Sequence, residues 1–225
     1  MQNAGIRDKD GKSSIVRKRN AFTLVELMVV MALTGIAVVV IYRSFSAQQR
    51  VAITQSQVVE MQQELRAALE IMVREIRTAG YDITGLGLGF TSATSSTMTF
   101  TRWDDDVLPA VPRTISYRLF GGSLQRNDGS GFQEVAENIE ALDFVYLDGN
   151  EPVPSVIGTP VAAGALGTIR TIQITVVARS DKLDQNFSNT AIYQNQQGTT
   201  VFTAPNDGYR RRTLTTTVEC KNMGL

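Results

Sequence analysis

The chain has 225 residues, of which 43% are hydrophobic and 20% are charged, a composition that argues against disorder along its whole length. Basic and acidic residues both total 22, so the net charge indicates no nucleic-acid or other polyanionic partner. The sequence has no histidine, the usual general base of hydrolases, and its single cysteine, Cys220, can form neither an intrachain disulfide nor a clustered zinc site. These absences remove the commonest catalytic groups, and we predict no enzyme activity, no cofactor and no metal ion.

The first 21 residues differ from the rest of the chain in charge, with six basic and two acidic side chains. A basic run at residues 17–19 stands just before an apolar segment, residues 22–42, in which Glu26 is the one charged residue. A helix of that length is about 30 Å long, which matches the hydrocarbon core of a bilayer. The sequence therefore predicts a single membrane-spanning helix over 22–42, and the positive-inside rule places its N-terminus in the cytoplasm.

Two ordinary interpretations of this segment compete with a functional one. A secretory signal peptide has a shorter apolar region followed by an Ala-x-Ala cleavage pattern, and the sequence shows neither feature. A plain signal anchor remains open on length and hydropathy alone. Glu26 favours a functional segment over a plain signal anchor. A carboxylate in an apolar helix costs about 3 kcal/mol to insert, so such a residue tends to have a partner.

The string from Ala21 to Glu26, AFTLVE, follows a basic leader and opens the apolar helix. In residue types and order it resembles the processing site of type IV prepilins and pseudopilins. The resemblance implies that a prepilin peptidase/methyltransferase cleaves between Ala21 and Phe22, removes the leader 1–21 and methylates the new N-terminus at Phe22. It also implies that Glu26 docks the subunit into a filament, where it pairs with the N-terminal ammonium of a neighbour. Ala21 departs from the family, which usually has glycine before the cleaved bond.

The helix is predicted to continue beyond the membrane segment, since residues 43–79 contain neither proline nor glycine. We predict one helix over 22–79, ended by Gly80, whose last turns pack on a globular head. Apolar positions in its second half recur every three or four residues, which predicts one buried face. These positions are Val58, Met61, Leu65, Leu69, Met72, Ile76 and Ala79.

Residues 80–225 are predicted to form a β-rich head. Gly85, Gly87, Gly89 and the Ser/Thr run at 91–97 indicate a loop, and Gly121-Gly122 and residues 127–129 indicate tight turns. Strands are predicted at 98–103, 114–120, 123–126, 139–147, 169–179 and 213–219. The predicted fold class is α+β, with a long N-terminal helix, membrane-spanning in its first half and amphipathic in its second, packed on an antiparallel sheet.

Three polar features of the head have competing explanations. Asp104, Asp105 and Asp106 could suggest a cation site, but they lack the spacing of a calcium loop, and we interpret them as a solvated loop tip. We interpret residues 210–212, three arginines, as guarding the edge of a strand rather than binding a phosphate or an acidic surface. Cys220 is predicted to be a buried, unreactive side chain.

The end of the predicted helix and several head segments resemble the PilW-like and J-type minor pilins. They are residues 67–81, 117–120, 124–126, 135–142, 210–218 and 221–225. Many major pilins have a C-terminal disulfide loop and a helix proline where this chain has Arg43, and both absences favour a minor subunit.

The resemblance implies a minor type IV pilin, incorporated into a pilus and priming or capping it. Its partners would be the prepilin peptidase, other major and minor pilins and the inner-membrane assembly platform, with no direct nucleic-acid contact. It would lie in the inner membrane, with a periplasmic head, before assembly and at the cell surface afterwards. The alternatives are a J-type pseudopilin of a type II secretion system and, from another class, a signal-anchored periplasmic binding or enzymatic domain.

Overall fold

The computed structural model describes residues 22–105, 110–150 and 152–224 of the chain. The predicted leader, Ala21 included, and Asp106 lie outside these residues. The described chain begins with one long helix, α1, at Leu24–Ile76, and a turn over 77–80 follows it. The predicted long N-terminal helix is confirmed; against the predicted range 22–79, it begins two residues later and ends three residues earlier.

The chain divides into two compact units after Arg50, and α1 contributes to both. In the first unit the apolar side chains of α1 are exposed all around the helix, and a window of 18 residues reaches a mean hydropathy of 2.7. By length and composition this helix is able to cross a membrane.

The second unit, from Val51 onward, contains the amphipathic half of α1 and all of the strands. The buried side chains of this half follow the predicted stripe, and each contributes about 1.5–3 kcal/mol when fully buried. They are Met61, Leu65, Ala68, Leu69, Met72 and Ile76. Val58 and Ala79 join the same core, so the prediction of a single packing face is confirmed.

Eleven strands are described. They are β1 (Phe90–Ala93), β2 (Thr97–Asp104), β3 (Val111–Phe120), β4 (Ser123–Asn127), β5 (Phe132–Ala136), β6 (Ile139–Leu147), β7 (Val156–Ile157), β8 (Thr171–Arg179), β9 (Ile192–Gln194), β10 (Thr200–Thr203) and β11 (Arg211–Glu219). A short 3₁₀ helix, Ala163–Thr168, precedes β8.

The strands form two antiparallel sheets and a ribbon. The first sheet has the order β1-β2-β3-β4-β5, the second has the order β11-β8-β6-β7, and β9 pairs with β10. The α+β class is confirmed, and the six predicted strands correspond to β2, β3, β4, β6, β8 and β11. The prediction of a single sheet is wrong, because β6 pairs with β8 and not with the sheet that precedes it.

The predicted loop at the Ser/Thr run is also corrected, since Phe90–Ala93 forms β1. Its ends pair with β2, with Phe90 opposite Phe100 and Ala93 opposite Met98, and all four of these side chains are buried. Threonine and serine between buried positions are compatible with a half-exposed edge strand. Both predicted turns are confirmed: Gly121 and Gly122 have φ of 63° and 80°, as a two-residue hairpin requires.

The helix end depends on Gly80, which has a φ of 75° and donates its N–H to the carbonyl of Thr101 at 3.1 Å. A Cβ at this position would lie 2.6 Å from the sulfur of Met223 and 3.2 Å from the carbonyl oxygen of Asn222. Glycine is thus required both by the backbone conformation and by the close approach of the C-terminal segment.

We expect Gly80→Ala to lower the free energy of unfolding by about 1–3 kcal/mol, because a left-handed alanine is strained and Met223 must move. The measurement is urea unfolding of the full chain in detergent micelles, followed by fluorescence of Trp103, the single tryptophan, in β2. Gly164→Ala is the control, since its Cβ would meet nothing within 4 Å. Equal urea midpoints for Gly80→Ala and Gly164→Ala would contradict the requirement for glycine at position 80.

Candidate assembly site

The start of α1 is capped by Thr23. Its hydroxyl oxygen accepts the N–H of Glu26 at 3.2 Å, and its carbonyl accepts the N–H of Leu27 at 3.2 Å. Thr23 and Glu26 therefore have the Thr-x-x-Glu spacing of a capping box. Sequence reasoning missed Thr23, although this spacing was the signal that could have found it. The cap fixes where the helix begins, and Phe22 lies just outside it.

The side chains around this start face outward. Phe22 is 76% exposed, and Glu26 is surrounded on the helix surface by exposed apolar side chains. Thr34, the other polar residue in this stretch, donates its hydroxyl to the carbonyl of Val30 at 2.7 Å. Within the described residues, the Glu26 carboxylate forms no ion pair, whereas both threonines are satisfied by the helix itself.

The helix cannot offset the cost of placing Glu26 in an apolar medium. A carboxylate in the first turn gains about 0.3–1 kcal/mol from the helix dipole, against about 3 kcal/mol for its insertion. A cation outside this helix would supply the difference. Among the described residues of this segment, Glu26 is thus the charged side chain without an ion-pair partner.

At its other end, α1 is tied to the first sheet through Glu75. Arg126 of β4 binds the carboxylate with two nitrogens, at 2.6 Å and 2.9 Å, and the Tyr117 hydroxyl of β3 donates to it. Burial, and then the hydrogen bond to Glu75, raise the pKa of Tyr117 well above its usual value. Hydrogen bonding to Glu75 likewise raises the pKa of Arg126. The contact fixes the rotation of the helix end against the sheet.

Asp104 corrects the sequence interpretation of the acidic run. Its side chain is 2% exposed and pairs with Arg113 at 2.9 Å and with Arg102 at 3.5 Å, so the prediction of a solvated loop tip is wrong at this residue. Asp105 is exposed and accepts a hydrogen bond from Tyr81. In the described part of the chain, no group of three or more acidic or cysteine side chains could hold a metal ion.

Arg211 corrects the interpretation of the three arginines. Its side chain is 0% exposed and binds Asp207 at 2.7 Å and Glu140 at 3.0 Å, so it is a buried ion-pair residue and guards no edge. Arg210 binds Asp184 at 2.7 Å, and Arg212 is exposed. These contacts fasten the segment that leads into β11 to its neighbours.

Cys220 follows β11 and is buried, as predicted. Burial raises the pKa of its thiol to about 12, so the thiolate is not populated at neutral pH. The residue acts as a small apolar side chain in the core of the head.

Comparisons with known proteins agree with this geometry. The N-terminal segment matches a family described as the prokaryotic N-terminal methylation motif over residues 16–42, and the head matches one described as type IV pilus-assembly protein W over residues 113–222. The two matches together cover more than half of the chain. No curated protein sequence matches the chain significantly.

The fold is shared with solved structures. One of them is a type IV-like pilin from Thermus thermophilus, with 18% identity and a TM-score of 0.50. The similarity covers 72% of this chain and 96% of that pilin, and at this level of identity it bears on the fold alone.

We expect Glu75→Gln to lower the free energy of unfolding by about 1–3 kcal/mol, because a charge-assisted contact with Arg126 and Tyr117 is lost. Urea unfolding followed by Trp103 fluorescence measures the change. Glu70→Gln, an exposed position on the same helix, is the matched control and should stay within about 0.5 kcal/mol of the parent. A control as unstable as Glu75→Gln would show that the ion pair is not responsible.

Acid should weaken the head through its paired aspartates. Hydrogen bonds from Ser130, and then from Arg126, lower the pKa of Asp128, and the hydrogen bond from Arg211 lowers that of Asp207. A carboxyl whose pKa is lower in the folded state adds stability above its unfolded pKa of about 4, and this stability is lost as the pH falls through the folded value. We therefore expect a constant urea midpoint from pH 7 to 5 and a falling one below about pH 4.

The Asp128→Asn variant tests the cause of that acid dependence. Its midpoint should be lower at pH 7 but should fall less steeply below pH 4, since one of the titrating groups has been removed. If the urea midpoint of Asp128→Asn falls below pH 4 as steeply as that of the parent, other groups cause the acid dependence.

Proposed function

Since the chain belongs to the type IV pilin-like proteins, as a minor pilin with a PilW-type head, we propose that its assembly depends on the first five residues of the mature helix. The methylation motif implies processing by a prepilin peptidase and assembly with other pilins. We propose that cleavage falls between Ala21 and Phe22, that Phe22 is N-methylated and that Glu26 is the docking carboxylate.

The observation that carries this proposal is the state of Glu26. Among the described residues it is the unpaired charge of an otherwise apolar helix segment, one turn from the new N-terminus. Cleavage before Phe22 creates an ammonium, which would be as unfavourable as Glu26 in an apolar filament core. Pairing the two charges between neighbouring subunits satisfies both, and in a low dielectric the pairing selects register as well as adding stability.

The cap at Thr23 supports the choice of the cleaved bond. Because the helix begins at Leu24, the Phe22 nitrogen lies before the helical hydrogen bonds and is free to become a methylated amine. The short mature segment before the cap also keeps the new charge within one turn of the helix start. Glu26 of one subunit and the amine of another then approach at similar depth.

We propose that the subunit sits in the inner membrane with a cytoplasmic N-terminus before assembly, and that its head lies in the periplasm. The basic run at residues 17–19 supports this orientation through the positive-inside rule. The assembly platform would then extract it together with other major and minor pilins. A priming or capping position is proposed because the chain lacks the disulfide loop and the helix proline of many major pilins.

The family match to a pilus-assembly protein favours a pilus over a type II secretion filament. It also favours a filament subunit over a signal-anchored binding or enzymatic domain, since the matched families are structural. Deleting the gene and scoring surface pili against secreted proteins separates pilus from secretion use.

Processing is tested by expressing the full chain with and without a prepilin peptidase. We expect intact-mass spectrometry to show loss of residues 1–21 and one added methyl group, with fragment ions that place the methyl on Phe22. An active-site variant of the peptidase is the control and should leave the precursor uncut. A chain that stays uncut beside an active enzyme would support a simple membrane anchor.

Docking is tested with Glu26→Ala. The variant should insert and be cleaved, because the apolar helix is unchanged, but its recovery in sheared filaments should fall by at least about tenfold. Glu134→Gln, an exposed carboxylate of the head, is the control and should be recovered normally. Normal incorporation of Glu26→Ala would defeat the docking role.

A further inference from the structure

β11 is the longest edge strand of the two sheets. It has nine residues, and its pairing with β8 runs without a register shift from Arg211 opposite Arg179 to Glu219 opposite Thr171. The other edge strands are protected: β1 and β5 are shorter and pair with a register shift, and β7 has two residues. Short length and irregular pairing are common ways to keep a second strand from joining a sheet edge. β11 has neither of them.

The outward backbone groups of β11 follow from the hydrogen bonds at its two ends. Ser180 donates its N–H to the carbonyl of Arg210, and Cys220 donates its N–H to the carbonyl of Arg170, both at 2.7 Å. Bonded and non-bonded positions alternate along an antiparallel pair, so the odd-numbered residues between Arg210 and Cys220 present their N–H and carbonyl groups to the free edge. The central ones are Thr213, Thr215 and Thr217. No described residue bonds to the backbone groups of these three threonines.

The side chains near β11 leave this edge open. Arg211 is buried in ion pairs, and the exposed charge at the start of the strand is Arg212. Residues 213–218 have no charge and no proline, and threonine and valine favour extended backbone. The turn of the β9–β10 ribbon bonds the hydroxyl of Thr217 and the carbonyl of Thr216, which faces β8. The ribbon thus lies against one face of the sheet and not along its edge.

The free edge of β11 borders a groove of about 570 Å³ whose other side is the second half of α1. The apolar groove residues are Leu69 and Val73 on the helix and Leu214 on the strand, and all three are partly or fully buried. In a strand added at this edge, every second side chain would point toward α1. An edge strand beside an apolar groove is an arrangement in which extended peptides bind, with backbone bonds for affinity and alternate side chains for specificity.

The helix side of the groove is basic. Arg66, Arg74 and Arg77 are exposed and form no ion pair with any described residue, and Glu70 is the acid among the groove residues. Three basic groups against one acidic group leave an excess of two positive charges, which favours a segment that carries carboxylates. Exposed ion pairs contribute about 0.2–1 kcal/mol each, so the arginines select the occupant while the backbone bonds hold it.

We propose that β11 accepts an extended segment of a different filament subunit as an added strand. The alternate apolar side chains of that segment fill the groove, and its carboxylates meet the arginines of α1. This contact goes beyond the proposed function, because the head forms it and Glu26 takes no part in it. A single copy at the priming or capping position would be joined in this way to a neighbour of another kind.

A second copy of this chain is disfavoured as the occupant. Pairing β11 with β11 would bring two arginine-lined helices to the same edge, where like charges oppose each other. The segment 210–219 itself contains three arginines and one glutamate, so as a separate strand it also has the wrong charge for the groove.

The direct test measures the binding of short overlapping peptides that tile the heads of the other pilins of the same cell. The full chain is held in detergent micelles, and binding is followed by the fluorescence anisotropy of a dye on each peptide. We expect an acidic peptide with alternating apolar residues to bind, and to bind at least about fivefold more weakly when its acids are replaced with lysine. A peptide of residues 210–219 is the control and should not bind. A set in which no peptide binds overturns the inference.

Backbone pairing is tested by N-methylation of the peptide that binds most tightly. Methyl groups on one set of alternate peptide nitrogens should weaken binding at least about tenfold, whereas methyl groups on the other set should have little effect, because one set faces β11. Equal effects of the two methylated peptides would show that no strand is added. The parent chain is used here, so the result does not depend on the folding of a variant.

The matching change in the chain is Thr215→Pro. It removes an outward N–H without touching the bonds to β8, and should also weaken peptide binding at least about tenfold. Thr215→Val keeps that N–H and is the matched control, expected to bind like the parent. Equal peptide affinities of the two variants would overturn the pairing at this edge.

The role of the arginines is tested by charge reversal. Arg74→Glu should weaken binding of the acidic peptide at least about threefold and strengthen binding of its lysine counterpart. Lys182→Glu makes the same change of charge at an exposed position outside the groove and is the control. Urea midpoints from Trp103 fluorescence within error of the parent show that both variants are folded. Equal weakening by both variants would overturn selection by the groove.

Cross-linking in filaments identifies the occupant. A photoreactive benzophenone side chain at position 215 should link, in sheared filaments, to an extended segment of another pilin, and linkage to a second copy alone overturns the inference. Filaments that contain the parent chain, together with no peptide binding at β11, leave the proposed function standing. A parent chain absent from filaments contradicts the proposed function, while the peptide measurements on the purified chain still decide this inference.

Discussion

A single helix of 53 residues has to satisfy two surroundings, and the rest of the structure depends on how it does so. From Leu24 to Tyr42 its surface is apolar on every side, which suits a lipid or protein medium and no aqueous one. After Val51 a single buried stripe faces the sheets, and the opposite side is polar. The change from all-round to one-sided hydrophobicity is what makes the chain an anchored subunit with a separately folded head.

The head is stabilised without a disulfide. Ion pairs between distant segments fix how these segments are oriented, as a disulfide does in other proteins. Glu75 and Arg126 fix the helix end, while Arg211 fixes the entry to β11 through Glu140 and Asp207. Buried ion pairs add little net stability over apolar contacts, but breaking one of them leaves an uncompensated charge. Their contribution is therefore specificity: they exclude rotations and shifts that the apolar core alone would tolerate.

The sequence predicted those parts whose pattern is local. The helix stripe, the long alternating strands and the glycine turns could all be read from spacing. Short strands such as Phe90–Ala93 could not, because their pairing depends on β2. The same limit applies to Asp104 and Arg211. Asp104 meets Arg113 because β2 pairs with β3, and Glu140, one partner of Arg211, lies 71 residues away along the chain, so charge alone suggested exposure. The cap at Thr23 is also a local pattern, since the Thr-x-x-Glu spacing to Glu26 is enough to predict it.

The polar groups of this chain fall into two sets, and the division explains why it assembles. The acidic and basic side chains that form ion pairs inside the head are matched by the fold, while Glu26 forms no ion pair with any described residue. The surroundings decide how much a partner contributes, since a pair 4 Å apart gains about 1 kcal/mol in water and about 4 kcal/mol at the lower effective dielectric of a protein surface. In the proposed filament Glu26, in an apolar core, would decide whether a subunit enters.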